Sequence, residues 1–258
     1  MIYEAITFET SEDGVAIITL NRPEVMNALT TQMRAEILHA TKEASKSARA
    51  LVLTGAGGAF CSGQDLGDGS AASMDLERGL RDEYTPMIRA IAEAPIPVLS
   101  AVNGAAAGAG ANLALAADIV IASHSAYFLQ AFARIGLMPD AGGTWILPHT
   151  MGMAKAMGAA LFADKISAQK ADQMGMIWEA VPDAEFDAHW RARAAHLANG
   201  PTESYKQSKR AIRAAFENTL EDQLTLEAKL QGKCGKTRDF QEGVVAFLEK
   251  RPAAYEGR

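Results

Sequence analysis

The chain has 258 residues, of which 48% are hydrophobic and 22% charged, and its formal net charge is −6. A chain of this length and composition buries enough apolar surface to fold without disulfides or structural metals. The acidic balance, with no run of five basic residues, argues against a nucleic-acid partner. Cys61 and Cys234 are far apart and lack metal-ligand spacing, which favours a reducing compartment and therefore the cytoplasm.

The chain also lacks the usual signals for export, membrane insertion and metal binding. Its first residues show neither the basic nor the apolar region of a signal peptide. The longest apolar stretch, residues 105–117, is interrupted by glycines and too short to cross a bilayer. The histidines show no metal-ligand spacing. We therefore expect a soluble protein with no membrane partner and no metal site.

Strands and helices alternate up to about residue 186 and only helices follow, which predicts an α/β core with mostly parallel strands and a helical tail. The polar turn at residues 11–14 predicts a hairpin, and Thr30 or Thr31 caps the first helix. Residues 64–75 are small and polar and predict a mobile loop. The predicted elements, in chain order, are strand 3–9, strand 15–20, helix 30–47, strand 50–54, helix 76–94, strand 98–102, an alanine-rich helix ending at 117, strand 119–122, and helices 185–198, 202–217, 219–230 and 237–250.

Two segments rich in small residues follow short buried strands, at residues 59–66 and 103–111. Small side chains let a ligand approach backbone N–H groups, and the start of a helix adds partial positive charge. Two such N–H groups that converge on one oxygen would form an oxyanion hole. Tight packing is the alternative use of these glycines, and each segment alone is compatible with both.

Taken together, several segments resemble the enoyl-CoA hydratase/isomerase (crotonase) superfamily in order and spacing. Within it, the chain is most similar to the isomerases of phenylacetate catabolism that rearrange ring-1,2-epoxyphenylacetyl-CoA. The segments that carry the resemblance are Asn21-Arg22-Pro23 with Asn27-Ala28-Leu29, residues 59–66, Asn103-Gly104 with the loop 108–110, residues 135–148, residues 118–122, residues 175–178 and residues 242–251.

The resemblance implies a fold, a division of the chain and an assembly. The expected fold is α/β, a crotonase-like spiral of ββα units at residues 1–198, with a helical C-terminal trimerisation region at residues 199–258. The expected assembly is a homotrimer or a dimer of trimers, and the expected partner is an acyl-CoA thioester. Coenzyme A is then part of the substrate, so no separate cofactor is predicted.

The resemblance also assigns residues to the catalytic site. The backbone N–H groups of Gln64 and Ala109 match the oxyanion-hole donors. Hydratases of the family hold water with two glutamates, but Asn112 and Phe132 stand at those positions here. Asp140 lies where several isomerases carry an aspartate, and we expect it to act as the acid/base in an apolar setting of Phe132, Leu137, Met138 and Trp145. The further positions predicted to bind substrate or coenzyme A are Arg22, Met26, Ala28, Phe60, Ser62, Asp65, Leu66, Asn112, Phe132, Phe247 and Lys250.

Most of these residues have a simpler interpretation that the sequence leaves open. Asp140 follows a proline in a glycine-rich loop and is also typical of a turn. Asp65 is expected to anchor the first loop, and Cys61 to be a buried thiol rather than a nucleophile. Asn112 is either a polar site residue or an ordinary helix residue, and Phe132 either core or the wall of an acyl pocket.

The predicted function is an acyl-CoA isomerase. It converts ring-1,2-epoxyphenylacetyl-CoA to the oxepin thioester, shifts the double bond of 3-enoyl-CoA to 2-enoyl-CoA, or does both. The alternatives are an enoyl-CoA hydratase or another crotonase reaction, including displacement of a ring halide, and a non-catalytic acyl-CoA-binding protein. The halide reaction expects a tryptophan where Phe132 stands.

Overall fold

The structure is a computed structural model that describes residues 2–67 and 75–258. Within these residues, ten strands form two sheets, one large and one small. The large sheet has the spatial order β1 (Ile6–Thr10), β2 (Val15–Leu20), β3 (Ala50–Gly55), β5 (Val98–Val102), β7 (Ile119–Ser123) and β10 (Glu179–Val181). The small sheet has the order β4 (Ala59–Cys61), β6 (Ala105–Ala107), β8 (Tyr127–Leu129) and β9 (Ile166–Ser167).

Helices follow the strands and then complete the chain. The predicted helix 76–94 is present as two α-helices joined by a π-helical turn at Leu80–Tyr84. The α-helices are α1 (Thr31–Ser47), α2 (Leu76–Gly79), α3 (Thr85–Ala92), α4 (Ala109–Leu115), α5 (Gly143–Met151), α6 (Met153–Phe162), α7 (Ala168–Gln173), α8 (Asp183–Ala198), α9 (Thr202–Ala214), α10 (Leu220–Cys234) and α11 (Arg238–Glu249).

The connectivity repeats in turns of two strands and a helix. β3 lies in the large sheet and is followed by β4 in the small sheet and then by α2 and α3, whereas β5 is followed by β6 and α4. Both strands of each turn pair in parallel with those of the next turn, β3 with β5 and β4 with β6. This is the expected α/β spiral of ββα units. The division at residue 198 and the trimerisation role of the tail stay predictions.

The large sheet is covered on both faces, which explains why its inner strands are apolar along their whole length. Alternate residues of the strands face α1 and the small sheet on one side, with Ile18, Leu51 and Phe60 fully or almost fully buried there. The other residues, among them Val52, pack against α8 through Trp190. Two opposed apolar faces therefore fix the sheet between the helices.

The structure confirms the hairpin, the helix capped by Thr30, and the alternation of strands and helices. It corrects the alanine-rich segment, because residues 105–107 form β6 and the helix begins only at Ala109. The strands of the small sheet are two or three residues long and were not predicted. Of the loop predicted at residues 64–75, residues 68–74 lie outside the described residues.

The helical tail is tied to the spiral by polar contacts. Asp118, before β7, forms ion pairs with Lys209 at 2.6 Å and Arg213 at 2.9 Å. Lys209 also donates to the carbonyl oxygens of Ala94 and Ile96, each at 2.8 Å. These partners hold α9 against the end of α3 and the strand that follows it.

Candidate active site

Three parallel strands of the small sheet end at one edge and bring the predicted site residues together. β4 pairs in parallel with β6, and β6 pairs in parallel with β8. Gln64 follows β4, Ala109 follows β6, and Phe132 lies in the 3-10 helix Ala131–Ile135 that follows β8. Because the carboxyl ends of parallel strands meet at the same edge, these residues meet although they are distant along the chain.

The backbone N–H groups of Gln64 and Ala109 are left free by the local structure. Leu29 forms a parallel bridge with the segment around Gln64, and its N–H and C=O pair with Gly63 O (2.8 Å) and Asp65 N (3.1 Å). Gln64 therefore does not use its own N–H in this bridge. Ala109 is the first residue of α4, where the N–H has no partner within the helix. Within residues 2–67 and 75–258, neither N–H donates to a protein acceptor.

Glycines allow the two loops to approach each other closely. Gly63 has a φ of +98°, and a Cβ added there would lie 2.8 Å from the Ala107 carbonyl oxygen and 3.5 Å from Ala109 N. Any side chain would therefore separate the two loops. Only glycine fits at position 63, and this close approach places Gln64 beside the start of α4.

A cavity of about 560 Å³ lies against Gln64 and Ala109. Its wall contains Gln64, Ala109 and Phe132, and Asp140 is its only acidic residue in the part of the chain that the structure describes. The other lining residues are mostly apolar or small, and they are Arg34, Ser62, Gly63, Leu66, Leu76, Gly79, Leu80, Tyr84, Gly108, Ala131, Arg134, Ile135 and Leu137. An apolar cavity with two free donors and one carboxylate has the composition of a small-molecule site.

Asp140 is poorly solvated, as predicted. Burial raises the pKa of the Asp140 carboxyl from 3.8 to about 6. Its Oδ1 is buried and accepts no hydrogen bond from any described residue. Phe132 and Leu137 line the same cavity, whereas Trp145 does not and instead stacks on His149 with ring centroids 4.4 Å apart. The expectation that Trp145 surrounds Asp140 is therefore wrong, because α5 turns that side chain away.

The backbone at Asp140 forms a tight turn. Gly143 N–H donates to the Asp140 carbonyl oxygen at 2.8 Å, and the two residues between them have positive φ, +46° at Ala141 and +86° at Gly142. An alanine in this region is strained by about 1–2 kcal/mol. The turn that the sequence allowed for Asp140 exists, and it places Asp140 in the wall of the cavity.

Arg34 and Tyr84 hold the Gln64 side chain, and the sequence did not reveal either of them. Arg34 Nη1 donates to Gln64 Oε1 at 2.8 Å and to Leu29 O at 3.0 Å, and Tyr84 OH donates to the same Gln64 oxygen. Burial raises the pKa of Tyr84, and the Asp140 carboxylate opposes its ionisation further. The sequence feature that could have indicated Arg34 is its place next to Met33 in the amphipathic helix α1. In the structure Arg34 is only 4% exposed.

Other predicted residues border the cavity or support its loops. Ser62 and Leu66 line it. Asp65 anchors the first loop, because it pairs with Arg22 at 2.8 Å and accepts from Gly67 N at 2.9 Å. The hydrogen bond from Arg22 is the main reason that the pKa of Asp65 lies below its usual range.

The remaining predicted positions do not line the cavity. Phe60 and Asn112 have no exposed surface and Ala28 is buried, so their side chains are not presented to a ligand. Met26 is exposed, with Phe247 and Lys250 exposed near the end of α11. The role of Met26, Phe247 and Lys250 in binding stays a prediction.

The single cysteine of this region is a packing residue. Cys61 is fully buried, and burial raises the pKa of its thiol to about 12. A thiol that stays protonated at neutral pH is a poor nucleophile. Among residues 2–67 and 75–258, no cluster of histidine, cysteine and acidic residues could hold a metal ion, and no helix is long and apolar enough to span a membrane.

The fold and the family of the chain define an enzyme of the enoyl-CoA hydratase/isomerase class. The family described as Enoyl-CoA hydratase/isomerase matches residues 10–258, and the chain belongs to this family. It is 63% identical over 258 residues, 100% of both chains, to "Probable enoyl-CoA hydratase" of Rhodobacter capsulatus. It is 45% identical over 253 residues, covering 96% of this chain and 97% of the relative, to 1,2-epoxyphenylacetyl-CoA isomerase of Escherichia coli K12.

Solved structures of the family share the fold. The structure of enoyl-CoA hydratase from Bacillus anthracis superposes with a TM-score of 0.92 at 30% identity, covering 99% of this chain and 100% of that chain. An enoyl-CoA hydratase from Polaromonas sp. JS666 gives a TM-score of 0.91 at 32% identity, covering 98% of this chain and 100% of that chain.

Proposed function

We propose that this protein is an acyl-CoA isomerase in which Asp140 moves a proton along the acyl chain. The observation that carries the proposal is the Asp140 carboxylate, the only acidic side chain among the described residues that line the cavity, whose burial raises its pKa to about 6. By the resemblance to the family, Asn112 and Phe132 stand at the positions of the two hydratase glutamates, and neither accepts a proton at neutral pH.

The proposed reaction on a 3-enoyl-CoA is a proton transfer from C2 to C4. Ionised Asp140 takes a proton from C2, and the electron pair shifts to the thioester oxygen as a dienolate. The N–H groups of Gln64 and Ala109 donate to that oxygen, and each donor of this kind lowers the barrier by about 3–4 kcal/mol. Protonated Asp140 then returns the proton to C4, which gives the 2-enoyl-CoA and restores the carboxylate.

We further propose that the acyl group is aromatic or derived from an aromatic ring. The relative with 45% identity is a 1,2-epoxyphenylacetyl-CoA isomerase. The side chains of Phe132 and Tyr84 form part of the wall and can contact a flat acyl group. The same oxyanion hole would withdraw electrons from the ring epoxide and assist its expansion to the oxepin. Coenzyme A serves as part of the substrate, in the cytoplasm.

The test is the Asp140→Asn variant, which keeps the size and hydrogen bonding of the side chain but removes its basicity. We expect turnover of a cis-3-enoyl-CoA to fall about 10²–10⁴-fold. Ring-1,2-epoxyphenylacetyl-CoA is assayed in parallel, and calorimetry with a saturated acyl-CoA checks that binding is retained. A variant that binds normally and isomerises at the parental rate would show that Asp140 is only a turn residue.

Hydration of 2-enoyl-CoA is the second candidate function. The 63% identical relative named a hydratase favours it. The composition of the cavity disfavours it, because the described residues that line the cavity supply one carboxylate and not the pair that orients water. Water addition to a 2-enoyl-CoA is followed by the loss of absorbance of the conjugated thioester, in parallel with the isomerase assay. A hydratase rate that exceeds the isomerase rate would overturn the proposal in favour of the second candidate.

A further inference from the structure

The side chain at position 112 is directed away from the cavity and toward the backbone of Asp140. Asn112 is fully buried in α4, and its Nδ2 donates to the Asp140 carbonyl oxygen at 2.8 Å. Its Oδ1 accepts from Gln130 Nε2 at 2.9 Å, and Gln130 is only 1% exposed. Two buried amides therefore form a chain of hydrogen bonds that ends at the backbone of the proposed base.

The direction of this chain is fixed by the chemistry of its ends. A carbonyl oxygen can only accept, so Asn112 must present its NH₂ group to Asp140 and its oxygen to Gln130. Gln130 must then present its own NH₂ group. Removal of the Gln130 amide would leave the Asn112 side chain free to rotate, although Gln130 does not touch Asp140 in this structure.

The position of the Asp140 carboxylate depends on the backbone that carries it. Oδ1 of Asp140 is buried without a hydrogen bond from any residue in the described ranges 2–67 and 75–258. Its direction is therefore set by the backbone turn, whose two inner residues, Ala141 and Gly142, both have positive φ. The Asp140 carbonyl accepts from both Gly143 N–H and Asn112, and these two hydrogen bonds fix the peptide plane of the turn.

Packing around Asn112 leaves little freedom for another side chain. A Cβ added at Gly143 would lie 2.8 Å from Asn112 Cγ and 2.9 Å from Oδ1. The glycine thus makes room for the amide between α4 and the start of α5. The same contact ties the position of Asn112 to the turn at Asp140.

We propose that Asn112 and Gln130 are positioning residues that aim the Asp140 carboxylate at the acyl group. This inference rests on the proposed function of Asp140 as the base. It assigns to position 112 a role different from water activation, because the amide supports the base from behind and does not reach the ligand. A misplacement of about 1 Å in such a group lowers the rate by up to about 10²-fold.

The experiment compares Asn112→Leu, Gln130→Leu and the double variant with the parent. Leucine has a similar size and no polar group. We expect kcat on a cis-3-enoyl-CoA to fall about 10- to 100-fold in Asn112→Leu with KM changed less than about threefold. The acidic limb of the pH profile should move below its parental position, because a carboxyl that leaves its buried place is better hydrated. Gln130→Leu should show the same changes to a smaller extent.

The double variant tests whether Gln130 acts through Asn112. If it does, Gln130→Leu causes no further loss of kcat once Asn112 is leucine. Gln207→Leu is the matched control, since Gln207 is another buried glutamine, in α9, with an Oε1 that accepts nothing from the described residues. We expect it to keep the parental kcat and pH profile. Thermal unfolding of each variant accompanies the kinetics.

The outcomes separate this inference from the proposed function. Asp140→Asn is assayed in the same series, and parental activity in that variant would remove the proposed function itself. If Asp140→Asn is inactive while Asn112→Leu keeps the parental kcat and acidic limb, the positioning role is wrong. If Asn112→Leu does not fold, the test rests on Gln130→Leu. A Gln130→Leu variant with the kcat and pH profile of the parent would then overturn the inference.

Discussion

At the scale of single residues, Asp140 combines a turn with a functional environment. Its backbone is held in a tight turn, and burial raises the pKa of its carboxyl to about 6. The carboxylate is therefore ionised at neutral pH and more basic than an exposed aspartate. A base with a pKa near the working pH transfers protons most effectively.

The first prediction concerns the pH dependence of the proposed isomerase reaction. The base must be ionised, so kcat/KM should fall as the pH drops below about 6, which is the raised pKa of Asp140. The measurement is kcat/KM for a cis-3-enoyl-CoA from pH 4.5 to 8. The residual activity of Asp140→Asn should lack this acidic limb. An acidic limb with its midpoint near pH 4 in the parent would mean that the Asp140 carboxyl is fully hydrated.

The second prediction concerns stability. Because the folded pKa of Asp140 lies above the unfolded value, the folded state holds the extra proton, and its stability falls as the pH rises from about 4 to about 6. Asp140→Asn removes this penalty, and we expect it to be more stable than the parent by about 1–2 kcal/mol at pH 8, after allowance for partial exposure. The gain should shrink toward pH 4. Urea unfolding of the parent and of Asp140→Asn at pH 4 and pH 8 measures this gain. An equal difference in stability at both pH values would show that the raised pKa of Asp140 is not its cause.

The third prediction tests the oxyanion donor at Ala109. This residue is the first of α4, where proline is well tolerated, so Ala109→Pro removes the N–H without breaking the helix. We expect kcat to fall about 10²–10³-fold with little change in melting temperature. Ala109→Gly retains the N–H and is the control. A folded proline variant with the activity of the glycine variant would show that this N–H takes no part.

At the scale of elements, α1 organises both the hairpin and the first loop of the site. Its Arg34 side chain reaches Gln64, and its Glu36 carboxylate accepts the N–H groups of Glu4 (2.8 Å), Ala5 (2.9 Å) and Ile6 (3.2 Å). One helix thereby fixes the edge strand β1 and the loop after β4. The short strands of the small sheet depend on such outside support.

The fourth prediction addresses this helix. Glu36→Gln replaces one accepting oxygen with an NH₂ group that faces backbone donors in a fully buried place. We expect the free energy of unfolding to fall by about 1–3 kcal/mol. Chemical denaturation measures the loss, with Glu43→Gln on the exposed side of the same helix as the control. Equal stability of the two variants would show that the backbone contacts of Glu36 contribute little.

At the scale of the whole molecule, the helical tail exposes more large apolar side chains than a solvated surface needs. Ile212, Phe216, Leu220 and Leu224 are each more than half exposed in the single chain. Phe240 and Leu248 add to them on α11. Exposed apolar surface of this extent is typical of an interface with another chain.

The fifth prediction is that the protein assembles through this tail as a trimer or a dimer of trimers. Light scattering should give three or six times the 27.4 kDa of the chain. Leu220→Lys combined with Leu224→Lys should shift the mass toward the single chain, because two charges would have to be buried at the contact. Glu221→Lys, on the same helix, is the charge control. A parent that is monomeric and active at assay concentration would refute the assembly.

The sequence determined what is encoded locally. The periodicity of α1, the hairpin turn and the four tail helices follow from neighbouring residues, and the motif around Asp140 placed the carboxylate in a turn. The order and spacing of the glycine-rich segments also identified the family, because each segment is a short continuous stretch of the sequence.

Only the tertiary structure decided how distant segments meet. Strands of two or three residues carry no periodic signal, so β4, β6 and β8 are defined by their neighbours in the small sheet. The hydrogen bond between Asn112 and Asp140 joins residues 28 positions apart, and that between Arg34 and Gln64 joins residues 30 apart. Contacts of this kind depend on the paths of several elements at once, which is why only the structure shows that Asn112 donates to the Asp140 carbonyl and that Trp145 lies elsewhere.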